Sequence, residues 1–317
     1  MKRRVKVILA NIKRFNNNTT KYLQGRCLYA WICEIYCAVR FGCSPEDFFR
    51  YRFYEKSNYE RNKFITHRRC QRIIKKYNDK NKNHIFQNKV TFNEHFKDFI
   101  GREWLCLQNA SQTEFEDFIK KHKQVIMKPI NGGQGKGIFK LSYDETKNVE
   151  YVDDYRNYIV EELLIQHEEM SKINSSSVNT VRVLTFKGQI IACALRTGSA
   201  GAVVDNLRSS GVCAHVDVDT GIIDTKCMDK DFNTYISHPD SKVVMVGIQL
   251  PEWEKMKEFI HNAVKIVPEV EYVGWDVAIL KDGFALIEGN HDPGHSVVQM
   301  IAQTGLYQTI RRIKNSK

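Results

Sequence analysis

The stretch on which the fold of this chain depends reads Val125-Ile126-Met127-Lys128-Pro129-Ile130-Asn131-Gly132-Gly133-Gln134-Gly135-Lys136-Gly137-Ile138-Phe139-Lys140-Leu141. Two apolar runs flank a loop that holds four glycines in six residues, framed by Lys128 and Lys136. Because glycine has no Cβ, such a loop can aim successive backbone N–H groups at one anion. The pattern predicts a phosphate-binding loop between two antiparallel strands. A Gly-rich hairpin tip without a ligand is the alternative that this stretch alone leaves open.

Two other phosphate-binding motifs are excluded by the residues of the loop. A P-loop needs Ser or Thr after its Gly-Lys pair, and here Gly137 follows Lys136. A dinucleotide fingerprint opens a helix, whereas residues 137–143 are rich in β-formers and too few for a crossover helix. The loop therefore joins strand to strand, which is a different way of binding a nucleotide.

Hydrophobic periodicity predicts the elements around this loop. A helix is expected at residues 89–105, after a polar linker at 78–83. Strands are expected at residues 124–128, 158–164, 177–186, 189–197, 272–280 and 284–290.

Charge divides the 317 residues unevenly. Residues 1–90 carry 22 Lys/Arg and 6 Asp/Glu, a net charge of +16, and the remainder carries 26 and 31, a net charge of −5. We therefore expect residues 1–88 to form a basic, mainly helical region. Such a region attracts nucleic acid, an anionic membrane or an anionic polymer, and a solvated basic helical surface is the alternative. Aromatic residues interleaved with arginines at 48–61 suit either stacking on single-stranded nucleic acid or simple helix packing.

The cysteines and the most hydrophobic window bear on location. Nine cysteines without a CxxC pair or zinc spacing favour a reducing compartment, and hence the cytoplasm. Residues 27–43 form the most hydrophobic window, which is short for a membrane span and contains Glu34 and Arg40. We expect an amphipathic helix there, packed on the core or lying peripherally on the inner face of a membrane.

The last predicted hairpin brings oxygen donors together, and its loop length decides how. A two-residue turn at residues 282–283 would place Asp276 opposite Gly289, whereas a three-residue loop at 281–283 pairs Asp276 with Glu288 and puts Asn290 on the same face. We predict the three-residue loop. Two carboxylates at cross-strand distance need a positive charge between them, and Mg²⁺ suits carboxylate and amide oxygens. Two unrelated polar residues on an exposed strand face are the alternative.

Four motifs occur together in an order that resembles the ATP-grasp superfamily. They are Lys128-Pro129 with the Gly loop, Glu161-Glu162-Leu163-Leu164, Asn179-Thr180-Val181-Arg182, and Asp276 followed twelve residues later by Glu288-x-Asn290. Further segments resemble the sugar-transfer-associated ATP-grasp family, which is found with polysaccharide synthesis genes. These segments are Ser44–Phe49, Phe53-Tyr54, Asn58–Arg61, Ser177–Val183, Val204–Asn206 and Gly274–Ala278.

The resemblance implies an α+β, ATP-grasp fold. Two α+β subdomains with antiparallel sheets, at about residues 124–165 and 175–300, would clasp ATP within a domain of residues 89–317. The basic N-terminal region of residues 1–88 would be the family's own helical domain.

The resemblance also implies site roles. Lys89 and Lys128 would contact the α/β-phosphates, and the loop of Gly132, Gly133, Gln134, Gly135, Lys136 and Gly137 would close over the β/γ-phosphates. The backbone of Glu161, Glu162 and Leu163 would contact adenine, and Glu168 the ribose. Arg182, with Lys128, would serve catalysis at the γ-phosphate. Asp276, Glu288 and Asn290 would hold Mg²⁺, or Mn²⁺ in its place. The acceptor residues would include Asn179, Arg196, Asp205, Asn206 and His291, with His295 as substrate contact or merely part of a polar loop.

The activity so implied is an ADP-forming ligase. A carboxylate would attack the γ-phosphate of MgATP, and an amine or similar nucleophile would then displace phosphate from the acyl-phosphate. The expected acceptor is a small-molecule or saccharide carboxylate, with polysaccharide-synthesis machinery at the membrane surface as partner. The sequence shows no G-x-S-x-G motif and no convincing Cys–His arrangement, which agrees with catalysis by positioning. The alternatives are a phosphotransferase that uses the same site on a hydroxyl, and a non-enzymatic binder of nucleic acid or another polyanion.

Overall fold

The structure, a computed structural model, describes residues 2–133, 135–146, 152–201 and 211–316, with side chains from residue 12 onward. The chain divides into two compact units. The helical unit comprises residues up to Ile73 and residues from His295 onward, and the sheet unit comprises Ile74–Gly294. This division differs from the predicted boundary at residues 88/89, because residues 74–88 belong to the sheet unit and residues from His295 onward belong to the helical unit.

Helices and strands follow one another along the chain. The α-helices are α1 (Lys2–Leu23), α2 (Cys27–Phe41), α3 (Pro45–Arg50), α4 (Asn58–Arg61), α5 (His67–Tyr77), α6 (Asn83–Gln87), α7 (Lys89–His95), α8 (Gln112–His122), α9 (Glu168–Ile173), α10 (Trp253–Ala263), α11 (Ser296–Ala302) and α12 (Tyr307–Asn315). The strands are β1 (Trp104–Cys106), β2 (Gln124–Pro129), β3 (Phe139–Ser142), β4 (Tyr158–Glu162), β5 (Thr180–Phe186), β6 (Gln189–Thr197), β7 (Val212–Val216), β8 (Cys227–Met228), β9 (Thr234–Tyr235), β10 (Tyr272–Leu280) and β11 (Gly283–Asn290).

An aromatic core holds the helical unit together. Phe48, Phe49, Tyr51 and Phe53 are all buried, and the rings of Phe49 and Phe15 lie 5.1 Å apart. For these four rings the burial favours helix packing over base stacking, because buried rings present no face to a nucleic acid. Among the described helices, none combines the length and the apolar character that a membrane span requires.

The C-terminal segment belongs to the helical unit because Gln299 of α11 is bonded into it. Its Oε1 accepts from the backbone N–H of Ile65 at 2.8 Å, and its Nε2 donates to the Tyr51 hydroxyl at 3.0 Å. Gln299 is fully buried, so each of these bonds is costly to lose.

Two antiparallel sheets form the sheet unit, as the α+β prediction requires. The small sheet has the order β1-β4-β2-β3, and the large sheet has the order β11-β10-β5-β6-β7-β8-β9. The predicted helix at 89–105 is wrong in its second half: α7 ends at His95, and residues 104–106 instead pair with β4. The isolated bridge Gln166–Leu280 connects the chain after β4 to the end of β10.

The predicted linker at 78–83 is likewise wrong, because Asn78 is built into the large sheet. Its Nδ2 donates to the carbonyls of Tyr272 at 2.8 Å and His291 at 2.9 Å, and its Oδ1 accepts from Tyr272 N–H at 2.8 Å. The following helix α6 contributes Phe86, whose ring centroid lies 6.0 Å from that of Trp275. Residues 74–87 therefore belong to the sheet unit.

Candidate active site

One face of the large sheet carries its charged side chains. Arg182 in β5 pairs in register with Asp276 in β10, which in turn pairs with Glu288 in β11. Arg196 in β6 lies two residues beyond Ala194, the partner of Arg182, and therefore shares this face. We call Arg182, Arg196, Asp276, Glu288 and Asn290 the charged face. The alternate residues of the same strands are buried and apolar, so the hydrophobic core holds each charged side chain on the outer face.

The last hairpin has the predicted pairing of Asp276 with Glu288, but a different loop and a β-bulge produce it. Leu280 pairs with Gly283, so the loop consists of residues 281 and 282 and differs from both the turn at 282–283 and the loop at 281–283. Val277 pairs with Leu286 but Asp276 pairs with Glu288, which leaves Ile287 as the extra residue of a β-bulge. The bulge shifts the register by one residue and produces the predicted Asp276–Glu288 pair. The pairing is confirmed, and the three-residue loop proposed to explain it is wrong.

Two guanidinium groups meet the buried carboxylate of Asp276. Arg182 Nε lies 2.7 Å from Oδ1 and its Nη2 donates to Oδ2 at 3.0 Å, while Arg196 Nη1 donates to Oδ2 at 2.9 Å. Arg182 and Arg196 keep 16% and 13% of their side chains exposed. The two arginines therefore balance the carboxylates while remaining within reach of solvent.

Glu288 completes the charge balance. Burial raises its pKa, but Arg182, the hydrogen bond from Asn290 and Arg196 together outweigh burial and hold the pKa below its ordinary value. Asn290 Nδ2 donates to Glu288 Oε1 at 3.0 Å. The face is thus arranged to keep this carboxylate ionised.

A glycine makes room for these contacts. A Cβ on Gly274 would lie 2.8 Å from Arg182 Nη1 and 3.0 Å from both the Cβ and the carbonyl oxygen of Pro293. Gly274 precedes Asp276 by two residues on the same face of β10. The guanidinium of Arg182 therefore occupies the space that a side chain would fill.

In the small sheet, Lys128 pairs with a fully enclosed carboxylate. Lys128 Nζ lies 2.5 Å from Glu161 Oε2, and Arg102 Nε lies 2.7 Å from the same oxygen. Burial raises the pKa of Glu161, but Arg102 and Lys128 outweigh it and hold the pKa well below its usual range. We call Arg102, Lys128 and Glu161 the buried triad.

Lys89 joins the small sheet to the Gly loop. Its Nζ donates to the carbonyls of Pro129 at 2.8 Å and Gly132 at 3.2 Å. Burial lowers the pKa of Lys89, Glu288 opposes this, and Lys128 adds to it. These mutual effects require the two lysines and Glu288 to lie within electrostatic range of one another. Both sheets therefore contribute to one site.

The Gly loop leaves β2 at a crowded point. Gly137 has φ 74°, and a Cβ there would lie 3.0 Å from Pro129 Cγ and 3.2 Å from the Tyr158 hydroxyl. Lys136 is exposed. Gln134 lies outside the described residues.

The chain matches the models of two known protein families. The model of the family described as sugar-transfer associated ATP-grasp matches residues 149–315. The chain belongs to this ATP-grasp family. A second family model, YheC/D like ATP-grasp, matches residues 78–188. No curated protein matches the chain in sequence.

Solved ATP-grasp structures resemble the chain remotely. The ATP-grasp ligase PsnB, complexed with a phosphomimetic variant of its minimal precursor, Mg and ADP, is 14% identical with a TM-score of 0.49, over 76% of this chain and 62% of that one. D-alanyl-alanine synthetase A from Vibrio cholerae is 13% identical with a TM-score of 0.43, over 69% of this chain and 60% of that one. D-alanine–D-alanine ligase from Bacillus anthracis, complexed with ATP, is 12% identical with a TM-score of 0.41, over 73% and 67%. The chain thus spans about three fifths of the first two ligases.

The predicted ATP-grasp hinge is only partly available to a ligand. Strand β4 lies between β1 and β2, so Glu161 and Glu162 are paired on both sides, and Glu162 N–H donates to the Glu103 carbonyl at 3.0 Å. These backbone groups therefore take part in the sheet, and the contact of Glu161 and Glu162 with adenine stays a prediction. Leu163 follows the end of β4, and Glu168 is exposed in the first turn of α9.

The predicted acceptor residues separate into distinct groups. Arg196 lies on the charged face, but Asn179 is fully buried and its Nδ2 donates to the carbonyls of Met170 at 2.7 Å and Asn174 at 2.9 Å. Asn179 therefore fixes the turn before β5 and does not contact the face. His291 Nε2 accepts from Gln87 Nε2 at 2.9 Å, and His295 lies in the helical unit. Asp205 and Asn206 lie outside the described residues.

Two participants were not predicted from the sequence. Arg102 follows Gly101 in a short loop, where nothing local distinguishes it from a solvated surface arginine. Gly274 reads as one more residue of a buried strand. Both owe their importance to distant residues, Glu161 and Arg182, so no local signal could have revealed them.

Proposed function

We propose that the chain is an ATP-dependent ligase that joins a carboxylate to an amine or similar nucleophile through an acyl-phosphate. The observation that supports it is the charged face, where two arginines meet Asp276 and where Glu288 lies within electrostatic range of Lys89 and Lys128. Such a site neutralises phosphate charge and orients reactants without a protein nucleophile.

The donors of the charged face suit Mg²⁺, with Mn²⁺ as a substitute. Within the described residues, no three His, Cys, Asp or Glu side chains are arranged to hold a metal ion. The proposed ligands are Asp276, Glu288 and the amide of Asn290. These hard oxygen donors match the preference of Mg²⁺, provided that Asn290 turns its oxygen toward the ion. The ion would supply charge neutralisation for the phosphate oxygens when bound.

The chain's own residues would position the reactants. Lys89 would exchange its two loop carbonyls for phosphate oxygens, while Lys128, kept beside Glu161, would add a fixed positive charge. Arg182 would turn from Asp276 toward the transferred phosphoryl group, since its partly exposed guanidinium is free to exchange one anion for another. Arg196 would hold the acceptor carboxylate.

The proposed reaction has two steps. An acceptor carboxylate oxygen attacks the γ-phosphorus of ATP, and the bond from that phosphorus to the β,γ-bridging oxygen breaks, which releases ADP. The nucleophile then attacks the acyl carbon, phosphate leaves, and the nucleophile loses a proton. A saccharide that carries a uronic acid is the proposed acceptor, in keeping with the family's association with sugar transfer.

We also propose a cytoplasmic location near polysaccharide-synthesis machinery. All nine cysteines are free thiols, and burial raises the pKa of Cys227 to about 11 and of Cys213 to about 12. Protonated, buried thiols agree with a reducing compartment, because neither thiol is poised for oxidation.

The test is an acceptor screen for ADP formation from MgATP, with hydroxylamine present in a parallel series. We expect ADP release that depends on a carboxylate, together with a hydroxamate. A stable phosphorylated product without hydroxamate would replace the ligase by a phosphotransferase. Asp153→Asn, at an exposed carboxylate, is the matched control for Asp276→Asn. Wild-type turnover by both Asp276→Ala and Glu288→Ala would refute the metal assignment.

The Gly loop offers an independent test of nucleotide binding. Its glycines would let it close over the phosphates, so MgATP should protect residues 131–138 from proteolysis. Equal cleavage with and without MgATP would rule out the proposed closure.

A further inference from the structure

Helix α2 presents an apolar stripe to solvent. Its six members recur at intervals of three and four residues, so they lie along one side of the helix. They are Leu28, Tyr29, Ile32, Ile35, Tyr36 and Val39. Leu28 and Val39, near the two ends, are 76% and 77% exposed. We call these six residues the α2 stripe.

The opposite side of α2 fixes the orientation of the stripe. Ala30, Cys37 and Phe41 are buried in the core of the helical unit, and the ring of Trp31 lies 4.1 Å from that of Phe15. Glu34, the only acidic residue of α2, is buried, and burial raises its pKa. The helix therefore cannot hide the stripe by rotating without losing its core contacts, and its carboxylate does not face outward.

An aromatic and cationic border adjoins the stripe. Tyr36 accepts a hydrogen bond from Asn58 Nδ2 at 2.9 Å, which places α4 beside it. The next residue, Tyr59, is 69% exposed, and Lys63 Nζ lies 4.2 Å from its ring centroid. Tyrosine and lysine combine an apolar body with a polar end, a pairing suited to the boundary between lipid and water.

A cluster of arginines lies at the C-terminal end of α2. Arg40, in the last turn, interacts electrostatically with Arg69, as do Arg72 and Arg311. The Arg69 guanidinium also stacks 4.3 Å from the ring centroid of Tyr307. Four like charges in mutual range repel one another, so an anionic surface beside them would relieve that repulsion.

The net charge of the helical unit indicates which of two partners, a second copy of the chain or a bilayer, would cover the α2 stripe. Residues 1–73 and 295–317 carry 21 Lys/Arg and 5 Asp/Glu, a net charge of +16. A second copy would bring two such charges together, whereas an anionic bilayer offers opposite charge and an apolar interior. The apolar area and the surrounding charge therefore both favour an anionic bilayer as the partner.

We propose that the α2 stripe is a membrane-docking surface that lies in the plane of an anionic bilayer. The stripe would enter the boundary between headgroups and acyl chains, and the arginine cluster would contact the headgroup phosphates. This inference goes beyond the proposed ligase activity and does not depend on it.

Vesicle cosedimentation of the full chain tests the proposal. We expect binding to vesicles of phosphatidylcholine mixed with phosphatidylglycerol, and at least about tenfold weaker binding to phosphatidylcholine alone. Ile32→Ser/Val39→Ser should weaken binding to the mixed vesicles at least about tenfold, since it removes apolar surface from the bilayer. Ile236→Ser/Val244→Ser is the matched control, because both residues are more than half exposed in the sheet unit.

Each other outcome overturns the proposal. Absence of vesicle binding does so directly, as does equal binding by the stripe variant and its control. If the wild type is dimeric without lipid and Ile32→Ser/Val39→Ser is monomeric, the stripe is a contact between copies. If polynucleotide binds the wild type and the stripe variant equally and displaces the vesicles, the basic charge alone accounts for vesicle binding. Melting temperatures of both double variants, expected to match the wild type, exclude loss of folding.

Discussion

Two clusters in the sheet unit pair arginine with carboxylate, and they differ in how completely they close. In the buried triad, one carboxylate meets two cations, and Arg102 and Glu161 are almost wholly enclosed. On the charged face, two carboxylates meet two arginines that keep part of their surface in solvent. The first cluster has one excess positive charge, while the second is balanced.

This contrast separates structural support from binding capacity. A closed ion pair cannot accept a new ligand without breaking, and removing one partner leaves a buried charge uncompensated. A balanced, partly exposed cluster can exchange partners, because incoming cations and anions restore the charges that move apart. The buried triad therefore acts as the support of β2 and β4, and the charged face as the place for chemistry.

The largest expected effect comes from a substitution in the buried triad. Glu161→Gln leaves Arg102 and Lys128 buried without a carboxylate, which should lower the free energy of unfolding by about 3–5 kcal/mol. Denaturant unfolding measures this loss. Glu103→Gln removes an exposed partner of Lys121 and should leave the free energy of unfolding close to that of the wild type. Equal stability of the two variants would mean that the buried triad gives no structural support.

A substitution in the charged face should affect ligand binding more than folding. Asp276→Asn should weaken the Mg²⁺-dependent part of ADP affinity about a hundredfold, or ~3 kcal/mol, because a ligand of the ion is lost. Titration calorimetry with ADP, with and without Mg²⁺, measures that part alone. If the loss is the same in the absence of Mg²⁺, Asp276 does not act through a metal.

The charged face could be predicted from the sequence because strand alternation carries the information. Asp276, Glu288 and Asn290 sit at even spacing in two apolar runs, so any register that pairs the carboxylates also aligns the amide. The cause of that register could not be predicted. The β-bulge at Ile287 depends on packing across three strands, and Ile287 resembles its neighbours in the sequence.

Other errors share one physical origin, namely contacts distant in sequence. Asn78 resembles a linker residue, yet its side chain replaces backbone partners of β10, 194 residues away. Residues 104–106 continue a helical pattern, yet β4 recruits them as a strand through ladder bonds formed only in the folded chain. The N-caps of α3 and α8 are local by contrast, because the hydroxyls of Ser44 and Ser111 each accept from a backbone N–H three residues ahead.

Two glycines on opposite faces of the last hairpin sharpen the contrast between support and binding. Gly274→Ala would collide with Arg182 and Pro293, and Gly289→Ala with Phe86 and Phe92. Each should cost about 1–3 kcal/mol of stability, as overpacking does. Only Gly274→Ala should also reduce affinity for MgADP, by roughly tenfold, because it displaces a residue of the charged face. An equal loss of affinity in both variants would trace the effect to general distortion.

The smallest expected effect is the response of the buried triad to mild acid. Burial opposes ionisation of Glu161, but Arg102 and Lys128 prevail and depress its pKa in the folded state. A depressed pKa adds stability that is complete above the unfolded value, about 4.3, and declines as the pH falls below it. The comparison variant is Lys128→Met/Glu161→Gln, because Lys128 would itself titrate once its carboxylate partner is gone.

The difference in unfolding free energy between the wild type and this double variant should therefore stay within about 0.5 kcal/mol from pH 8 to pH 5. This difference should become smaller in more acidic solution, because Glu161 binds a proton in the unfolded chain while it stays ionised in the folded chain. Urea unfolding at each pH supplies the values. A decline that begins near neutral pH would mean that Glu161 gains its proton in the folded protein. In that case burial outweighs the two cations, and the buried triad holds one proton, and so one positive charge, more than a triad in which Glu161 is ionised.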